Sequence, residues 1–424
     1  MKLQIIILIC TICMSLPTLA QEEISLQYCQ AKGIEVSPLQ KQKLYYESLM
    51  ELSNQSTNAI NLPQLVLNGQ FSFQSDVFSL PFDVPGIESP IIPKNQYKVG
   101  VDFYQNIYNG GRAKSLLAIN ASADQINQQT IEISLYKVHK IINRLYFSVL
   151  LTQEQIELLN STMRDLQVQK DFIDSQVNAG TVLRGSTLVI QKEMLSLIQM
   201  IIELEVRKET SKELLGSWIE EDIKTVDLLL PTGLTSENSE LNRPEIKLFD
   251  YKMDVFQSQI GLINSNRIPD VGIFGTAGIG YPNPLNWFNV THSPYALVGV
   301  KLSWKILDYG ISKNERESAQ LRQQIVLAEK ENYLKILNNS VTNLESEVRK
   351  YNQLILKDNE IIQLQDEILA QSTSQLQNGT LTSANYIIEV SKGLQAKLNK
   401  KIHEIKLAEA YINILTETGN IGEL

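Results

Sequence analysis

Two stretches of the chain alternate between apolar and polar residues and are similar to each other. Residues 99–107 read VGVDFYQNI and residues 298–306 read VGVKLSWKI. A period of two is typical of a β-strand with one apolar and one polar face. These two stretches are 199 positions apart. The same offset separates residues 176–181 from residues 375–380, where a Gln, a Gly and a Thr recur at matching positions. Two pairs of similar segments at one offset indicate an internal tandem duplication.

Each copy is predicted to hold two strands joined by a loop. Both loops contain several prolines, which exclude a helix or a central strand. About ten residues of tilted strand suffice to cross a bilayer. The predicted strands are residues 65–74, 97–108, 270–281 and 296–307, and the loops are residues 76–95 and 282–294.

Helical periodicity without proline fills most of the remaining sequence. Residues 112–177 and 312–376 are predicted helices, each about 100 Å long at 1.5 Å per residue. Such lengths favour a coiled coil or a helical barrel over an ordinary globular helix. Returning helices are predicted at residues 186–218 and 383–415, shorter helices at residues 38–58 and 243–266, and a short lead-in at residues 22–36.

The first twenty residues are typical of a secretory signal peptide. Lys2 precedes a mostly apolar run, and a small-residue cleavage site ends at Ala20. After this segment no run of about eighteen apolar residues remains, so we expect no transmembrane helix. The predicted division is a signal peptide (1–20), a first repeat (21–220), a linker (221–242) and a second repeat (243–424).

Composition excludes several classes of function. The net charge of -9 argues against a nucleic-acid partner. Cys29 is the one cysteine left beyond the signal peptide, so no intrachain disulfide is expected. His139, His292 and His403 lack the spacing of metal ligands. We find no catalytic constellation and therefore expect no enzyme activity, cofactor or metal.

Four strands per chain cannot close a barrel, and an open strand edge is not tolerated in lipid. The chain is therefore expected to oligomerise. Three chains would supply twelve strands, whereas two would supply eight, which leave no room for a channel.

This ordered set of features resembles the TolC family of outer-membrane efflux and secretion channels. The resemblance covers the mature chain and includes the strand-to-helix turns YNGG and DYG, the segment Arg243-Pro244-Glu245 and a Gly-Thr pair at both far turns. It implies an α+β membrane protein: a homotrimer with a twelve-stranded β-barrel in outer-membrane lipid, continued by a long periplasmic α-helical barrel. It also implies a periplasmic membrane-fusion adaptor and an inner-membrane pump as partners. The implied function is a passive exit duct for efflux or type I-like secretion.

The resemblance places the two helix–helix turns at the periplasmic tip, where the adaptor docks and the channel is gated. The alternative is turn chemistry alone, in which Gly ends one helix and Thr caps the next. Some family members line the tip with aspartates. In this sequence Asn385 stands at the first such position and Glu389 lies one position from the second. Together with Arg184, which adjoins the first turn, these residues are the candidate lining of the gate. The candidate docking residues are Gly180, Thr181, Val182, Leu183, Gly379, Thr380, Leu381 and Thr382.

A different class of protein accounts for part of the pattern. A periplasmic coiled-coil adaptor or scaffold explains the long helices and the duplicated hairpin. It does not explain four strands with largely apolar faces, and an adaptor would also carry a lipoyl-like half-motif that is not found.

Overall fold

The computed structural model describes residues 23–78, 91–233, 240–286 and 288–421. The predicted signal peptide and parts of the first loop and of the linker lie outside these residues. In chain order the elements are β1 (Glu23–Ile24), α1 (Leu26–Glu35), α2 (Leu39–Ala59), β2 (Gln64–Phe73), β3 (Asn95–Tyr108), α3 (Arg112–Asn178), α4 (Gly185–Ile219), β4 (Asp227–Leu228), α5 (Pro244–Ser265), β5 (Asp270–Tyr281), β6 (Ser293–Ser303), α6 (Ile311–Gln377) and α7 (Ser383–Thr418).

The chain forms two compact units. The helical unit comprises Met1–Lys41, Ile131–Pro244 and Asn332–Leu424, and the sheet unit comprises Gln42–Thr130 and Glu245–Glu331. Each unit takes segments from both halves of the sequence. The long helices α3 and α6 contribute residues to both units.

The sheet unit is built on four antiparallel strands in the order β2-β3-β5-β6. The four predicted strands are confirmed, but the last prediction was wrong at its end, because β6 stops at Ser303 rather than near residue 307. Ser303 pairs with Asp270, and the residue before Asp270 is Pro269, which has no N–H to donate to the ladder. The indole of Trp304 instead donates to the carbonyl of Arg267 at 3.0 Å.

One face of this sheet is apolar and open. Leu67 and Phe71 on β2 are each 73% exposed, and Val298 on β6 is 76% exposed. The alternation in the sequence therefore produces a sheet whose apolar side chains are not covered by other described parts of the sheet unit. Exposed apolar faces of this kind mark a surface that contacts another protein or lipid.

The two 67-residue helices begin just after tight turns. Before α6, the carboxylate of Asp308 accepts hydrogen bonds from the backbone N–H of Gly310 at 3.0 Å and of Ser312 at 3.1 Å. The Ser312 hydroxyl and these two amides lower the pKa of Asp308 to about 2. An ionised carboxylate at this position satisfies amides that lack partners at a helix N-terminus.

The helical unit contains elements that the sequence did not predict. The short lead-in, for which no secondary structure was predicted, forms α1, whose N-terminus is capped by Ser25. Just before α1, β1 pairs in parallel with β4, some 200 residues away. Tyr146 is a buried residue of α3. Its hydroxyl lies 2.8 Å from the carbonyl of Ile24 in β1 and 2.7 Å from that of Leu229, just after β4, so it links both short strands to α3.

A second set of polar contacts joins the start of the chain to its end, and we call it the Thr416 network. Asn143 donates to the Thr416 hydroxyl at 3.0 Å and accepts from Gln30 at 2.6 Å. Tyr136 and Arg243 donate to the Thr416 carbonyl at 2.7 and 3.0 Å. Gln30, Asn143, Arg243 and Thr416 are all buried, and buried polar groups must be paired to be tolerated.

Among the described residues, no helix is both long enough and apolar enough to cross a membrane.

Candidate functional site

The turns that join α3 to α4 and α6 to α7 have the same backbone structure. In the first, the N–H of Gly180 donates to Val177 at 3.0 Å and that of Thr181 to Gln176 at 3.0 Å. In the second, Gly379 donates to Leu376 at 3.0 Å and Thr380 to Gln375 at 2.9 Å. This pair of bonds defines the Schellman motif, which ends a helix by satisfying its last carbonyls.

A positive φ explains the glycine at each turn. Gly180 has φ 77° and Gly379 has φ 74°, and this left-handed conformation is costly for residues that carry a Cβ. Beyond the glycine's own chain neighbours, no atom of the described residues lies within 4 Å of where a Cβ would stand at either position. The requirement for glycine is therefore conformational and does not arise from crowding.

The expectation that a threonine caps the next helix is confirmed at the second turn, where Thr382 caps α7, but it was wrong for Thr181 and Thr380. The hydroxyls of Thr181 and Thr380 each donate back to the carbonyl of Gln176 or Gln375 at 3.0 Å. The Schellman geometry places each hydroxyl beside the carbonyl that already accepts the backbone N–H of the same threonine. The cap of α7 is Thr382, which accepts from the backbone N–H of Asn385 at 3.3 Å.

The fold brings the two turns together within the helical unit. The side chain of Gln176 donates to the carbonyl of Gln377 at 3.4 Å. Val182 and Leu381 pack against a common apolar cluster that includes buried Ile173, Ile190 and Tyr386. Hydrophobic contacts from all four helices thus hold the turns side by side.

The outer surface of the paired turns is mixed. Leu183 is 84% exposed, while Gly180, Thr181, Gly379, Thr380 and Thr382 are exposed and Val182 and Leu381 are half-buried. An exposed leucine beside small polar residues gives this surface an apolar side chain that a partner could bury.

The three candidate gate residues have different surroundings. Arg184 and Asn385 are exposed. Glu389 is half-buried, and its carboxylate accepts from Lys392 at 2.9 Å and from Gln365 at 3.1 Å. The hydrogen bond from Lys392, followed by that from Gln365, lowers the pKa of Glu389, so its negative charge is already offset by a neighbouring ammonium.

One polar cluster near the first turn was not predicted. Asp174 accepts from Lys170 at 2.8 Å and from the hydroxyl of Thr187 at 2.7 Å, which ties the end of α3 to the start of α4. The hydrogen bond from Lys170, and then that from Thr187, lowers the pKa of Asp174. The i, i+4 spacing of Lys170 and Asp174 was a signal that could have located this cluster.

The described residues contain no group of three or more His, Cys, Asp or Glu side chains placed to hold a metal ion. His403 hydrogen-bonds Asp358 at 2.6 Å and His292 hydrogen-bonds Tyr97 at 2.5 Å. These two histidines are therefore engaged in contacts within their own units.

The architecture is similar to that of solved outer-membrane channels. The outer membrane protein VceC of Vibrio cholerae shares 14% identity with a TM-score of 0.68, over 92% of this chain and 96% of that one. The Campylobacter jejuni CmeC outer membrane channel shares 14% identity with a TM-score of 0.66, over 93% and 86% of the two chains. The open state of the Neisseria gonorrhoeae MtrE outer membrane channel shares 15% identity with a TM-score of 0.67, over 93% and 89%.

No protein-family model and no curated protein matches the sequence. The chain nevertheless has the fold of these outer-membrane channels, with four strands and paired long helices, so the α+β channel fold expected from the resemblance is confirmed.

Proposed function

We propose that this protein is an outer-membrane exit duct of a tripartite efflux or type I-like secretion system. Three copies form a passive channel that is closed at the periplasmic tip and opens when a membrane-fusion adaptor engages the tip turns. An inner-membrane pump supplies the energy, and the duct itself performs no catalysis. The observation that carries the proposal is the likeness of nearly the whole chain to solved outer-membrane channels.

The edges of the sheet support assembly from several copies. The order β2-β3-β5-β6 leaves β2 and β6 at the two edges, and because every neighbouring pair is antiparallel, these two strands run in opposite directions. The β6 edge of one copy can therefore pair with the β2 edge of the next and continue an all-antiparallel sheet. Closure through three copies removes every open edge, as a barrel in lipid requires.

The faces of the sheet support the orientation of such a barrel. Exposed Leu67, Phe71, Val298 and Val300 lie on one face, which in the proposed barrel contacts outer-membrane lipid. The opposite face carries Asn68, Gln70 and Lys301 and would line a water-filled lumen. In this proposal each chain contributes two repeats, residues 21–220 and 243–424, joined by the linker 221–242.

The paired turns are the proposed contact with the adaptor. Gly180, Thr181, Val182 and Leu183 form one docking turn, and Gly379, Thr380, Leu381 and Thr382 form the other. Arg184, Asn385 and Glu389 lie close by in sequence and are the proposed lining of the gate. In place of a ring of aspartates, this lining offers an amide and a carboxylate that is paired with Lys392.

Two measurements on detergent-extracted protein test the proposal. We expect a native mass of three processed chains, and stepwise ion conductance when this species is added to a planar bilayer. A monomer that is released by salt without detergent would refute the duct and favour the periplasmic coiled-coil adaptor or scaffold.

A site-specific test addresses the docking turns. We would place a photo-crosslinking residue at Leu183 and, as a matched control, at Val206, an apolar position that is 60% exposed on the same hairpin. Crosslinks to a membrane-fusion adaptor from Leu183 alone support docking at the tip. Crosslinks of equal yield from both positions, or from Val206 alone, would exclude the turns as the contact.

A further inference from the structure

The polar face of the sheet contains a group of residues that break its alternation. Val66, Tyr104, Phe274, Tyr295 and Leu297 occupy positions at which polar or glycine residues otherwise alternate, and we call them the inner-face patch. The strand register places Val66, Asp102, Thr276 and Leu297 in one row across the sheet. Tyr104, Phe274 and Gly299 form the next row. The exceptions are scattered in sequence but adjacent in the sheet.

Two rings of the patch lean over glycines instead of standing away from the sheet. A Cβ at Gly272 would lie 2.7 Å from the hydroxyl oxygen of Tyr104 and 2.9 Å from its ring carbons. A Cβ at Gly299 would lie 2.9 Å from ring carbons of Phe274. Strand side chains ordinarily stand roughly perpendicular to the sheet. Here the missing side chains at Gly272 and Gly299 make room for rings that extend along the sheet.

The patch remains accessible on the side away from the backbone. Val66 is 50% exposed, Leu297 is 46% exposed and Tyr104 is 38% exposed. Gly272, by contrast, is buried beneath the ring that covers it. One side of each ring therefore rests on the backbone, while the other can stack on a second flat ring.

Charges of opposite sign flank the two rings. Asp102 is the next residue on the same face of β3 as Tyr104, about 7 Å along the strand. Its carboxylate is held by a hydrogen bond of 2.5 Å from Asn68. Lys301 lies opposite Gly272, diagonally about 8 Å from Phe274. A flat molecule on the rings would thus have a carboxylate at one end and an ammonium at the other.

We propose that the inner-face patch is a binding subsite for planar aromatic small molecules that carry both a cationic and an anionic group. The rings of Tyr104 and Phe274 stack on the flat ring system, Val66 and Leu297 contact its edge, and Asp102 and Lys301 pair with its two charges. The inference rests on the proposed function, because only in a closed channel does this face line the path of a passing molecule. Three chains would present three such subsites around the lumen.

The test measures binding of rhodamine B, a planar xanthylium cation that also bears a carboxylate, to the assembled protein in lipid nanodiscs. Fluorescence anisotropy gives the dissociation constant after subtraction of empty nanodiscs. Phe274→Leu keeps an apolar side chain but removes the ring, and we expect it to weaken binding about fivefold. Phe71→Leu makes the same change on the opposite face and should leave the constant unchanged.

Several outcomes would overturn the inference. These are equal effects of the two leucine variants, no effect of Phe274→Leu, or displacement of the dye by maltose, which would reassign the patch to sugars. If Phe274→Leu does not assemble, Gly299→Ala replaces it, since a methyl group there must displace the same ring. A conducting trimer that binds no dye overturns this inference alone, whereas a water-soluble monomer overturns the channel as well.

Discussion

Replacing Gly180 by alanine should loosen the turn between α3 and α4 without disturbing the matching turn between α6 and α7. The backbone at Gly180 has φ 77° and no atom lies within 4 Å of the added Cβ, so the cost is conformational alone. Left-handed backbone costs an L-residue about 1–2 kcal/mol. A penalty of this size raises the population of the opened turn about 5- to 30-fold.

The rate of hydrogen exchange at the amides of the Schellman motif measures this change in the population of the opened turn. The N–H of Thr181, bonded to Gln176, should exchange about 5- to 30-fold faster in Gly180→Ala. The N–H of Thr380 in the second turn should exchange at its original rate, and Gly379→Ala should give the reverse pattern. Local opening energies are measured in this way without unfolding the whole protein.

Gly185 supplies a matched control on the same hairpin. It is the first residue of α4, its φ is not positive, and an added Cβ there also meets nothing within 4 Å. Alanine at a helical position is favoured over glycine by about 0.5–1 kcal/mol. Gly185→Ala should therefore leave exchange at Thr181 unchanged or slow it. Faster exchange in both variants, or in neither, would refute the conformational explanation.

Three further changes test other parts of the structure. Tyr146→Phe removes the hydroxyl shared by the carbonyls of Ile24 and Leu229 and should lower the free energy of unfolding by about 1–3 kcal/mol in denaturant titrations; an unchanged value would show that water replaces the hydroxyl. Burial, reinforced by Glu221, raises the pKa of Cys29 to about 12, so maleimide at pH 8 should label this thiol only after denaturation, as mass spectrometry would show. Burial lowers the pKa of His139 to about 4 from its ordinary 6.5, so the folded state binds a proton less readily than the unfolded state. The thermal midpoint should therefore fall as the pH drops from 6.5 toward 4, and His139→Leu should make that fall smaller.

Helices and strands whose apolar residues recur with a regular period could be predicted from the sequence. Residues 112–177 were predicted as a helix and α3 spans Arg112–Asn178. Alternation located all four strands of the sheet, because a strand that is apolar on one face has a period of two wherever it lies. The end of β6 was missed because it depends on Pro269, which lies just before the partner strand β5. Pro269 has no N–H with which to extend the pairing beyond Ser303.

Features that depend on distant partners could not be predicted. The pairing of β1 with β4 involves two residues on each strand, too few to show a period. Its partners are brought together by Tyr146 and the packing of α1. At the two helix–helix turns, glycine was correctly associated with a helix end. The role of Thr181 was missed, because the preceding helix offers carbonyl acceptors and the following helix offers N–H donors, and only the folded geometry selects between them. The inner-face patch was visible only as exceptions to alternation until the register placed them side by side.

The Thr416 network has a consequence for how the chain is made. Gln30 and Asn143 leave the ribosome long before Thr416, and chains generally fold as units in order of synthesis. Gln30 can bond Asn143 within the first half, but the buried amide of Asn143 cannot donate to its native partner until α7 arrives. Residue 416 therefore completes a buried contact of a residue that was made 273 positions earlier. A messenger with a stop codon before residue 416 would yield a chain in which the buried Asn143 lacks its bond to Thr416, and such a chain is expected to be a substrate for quality-control proteases.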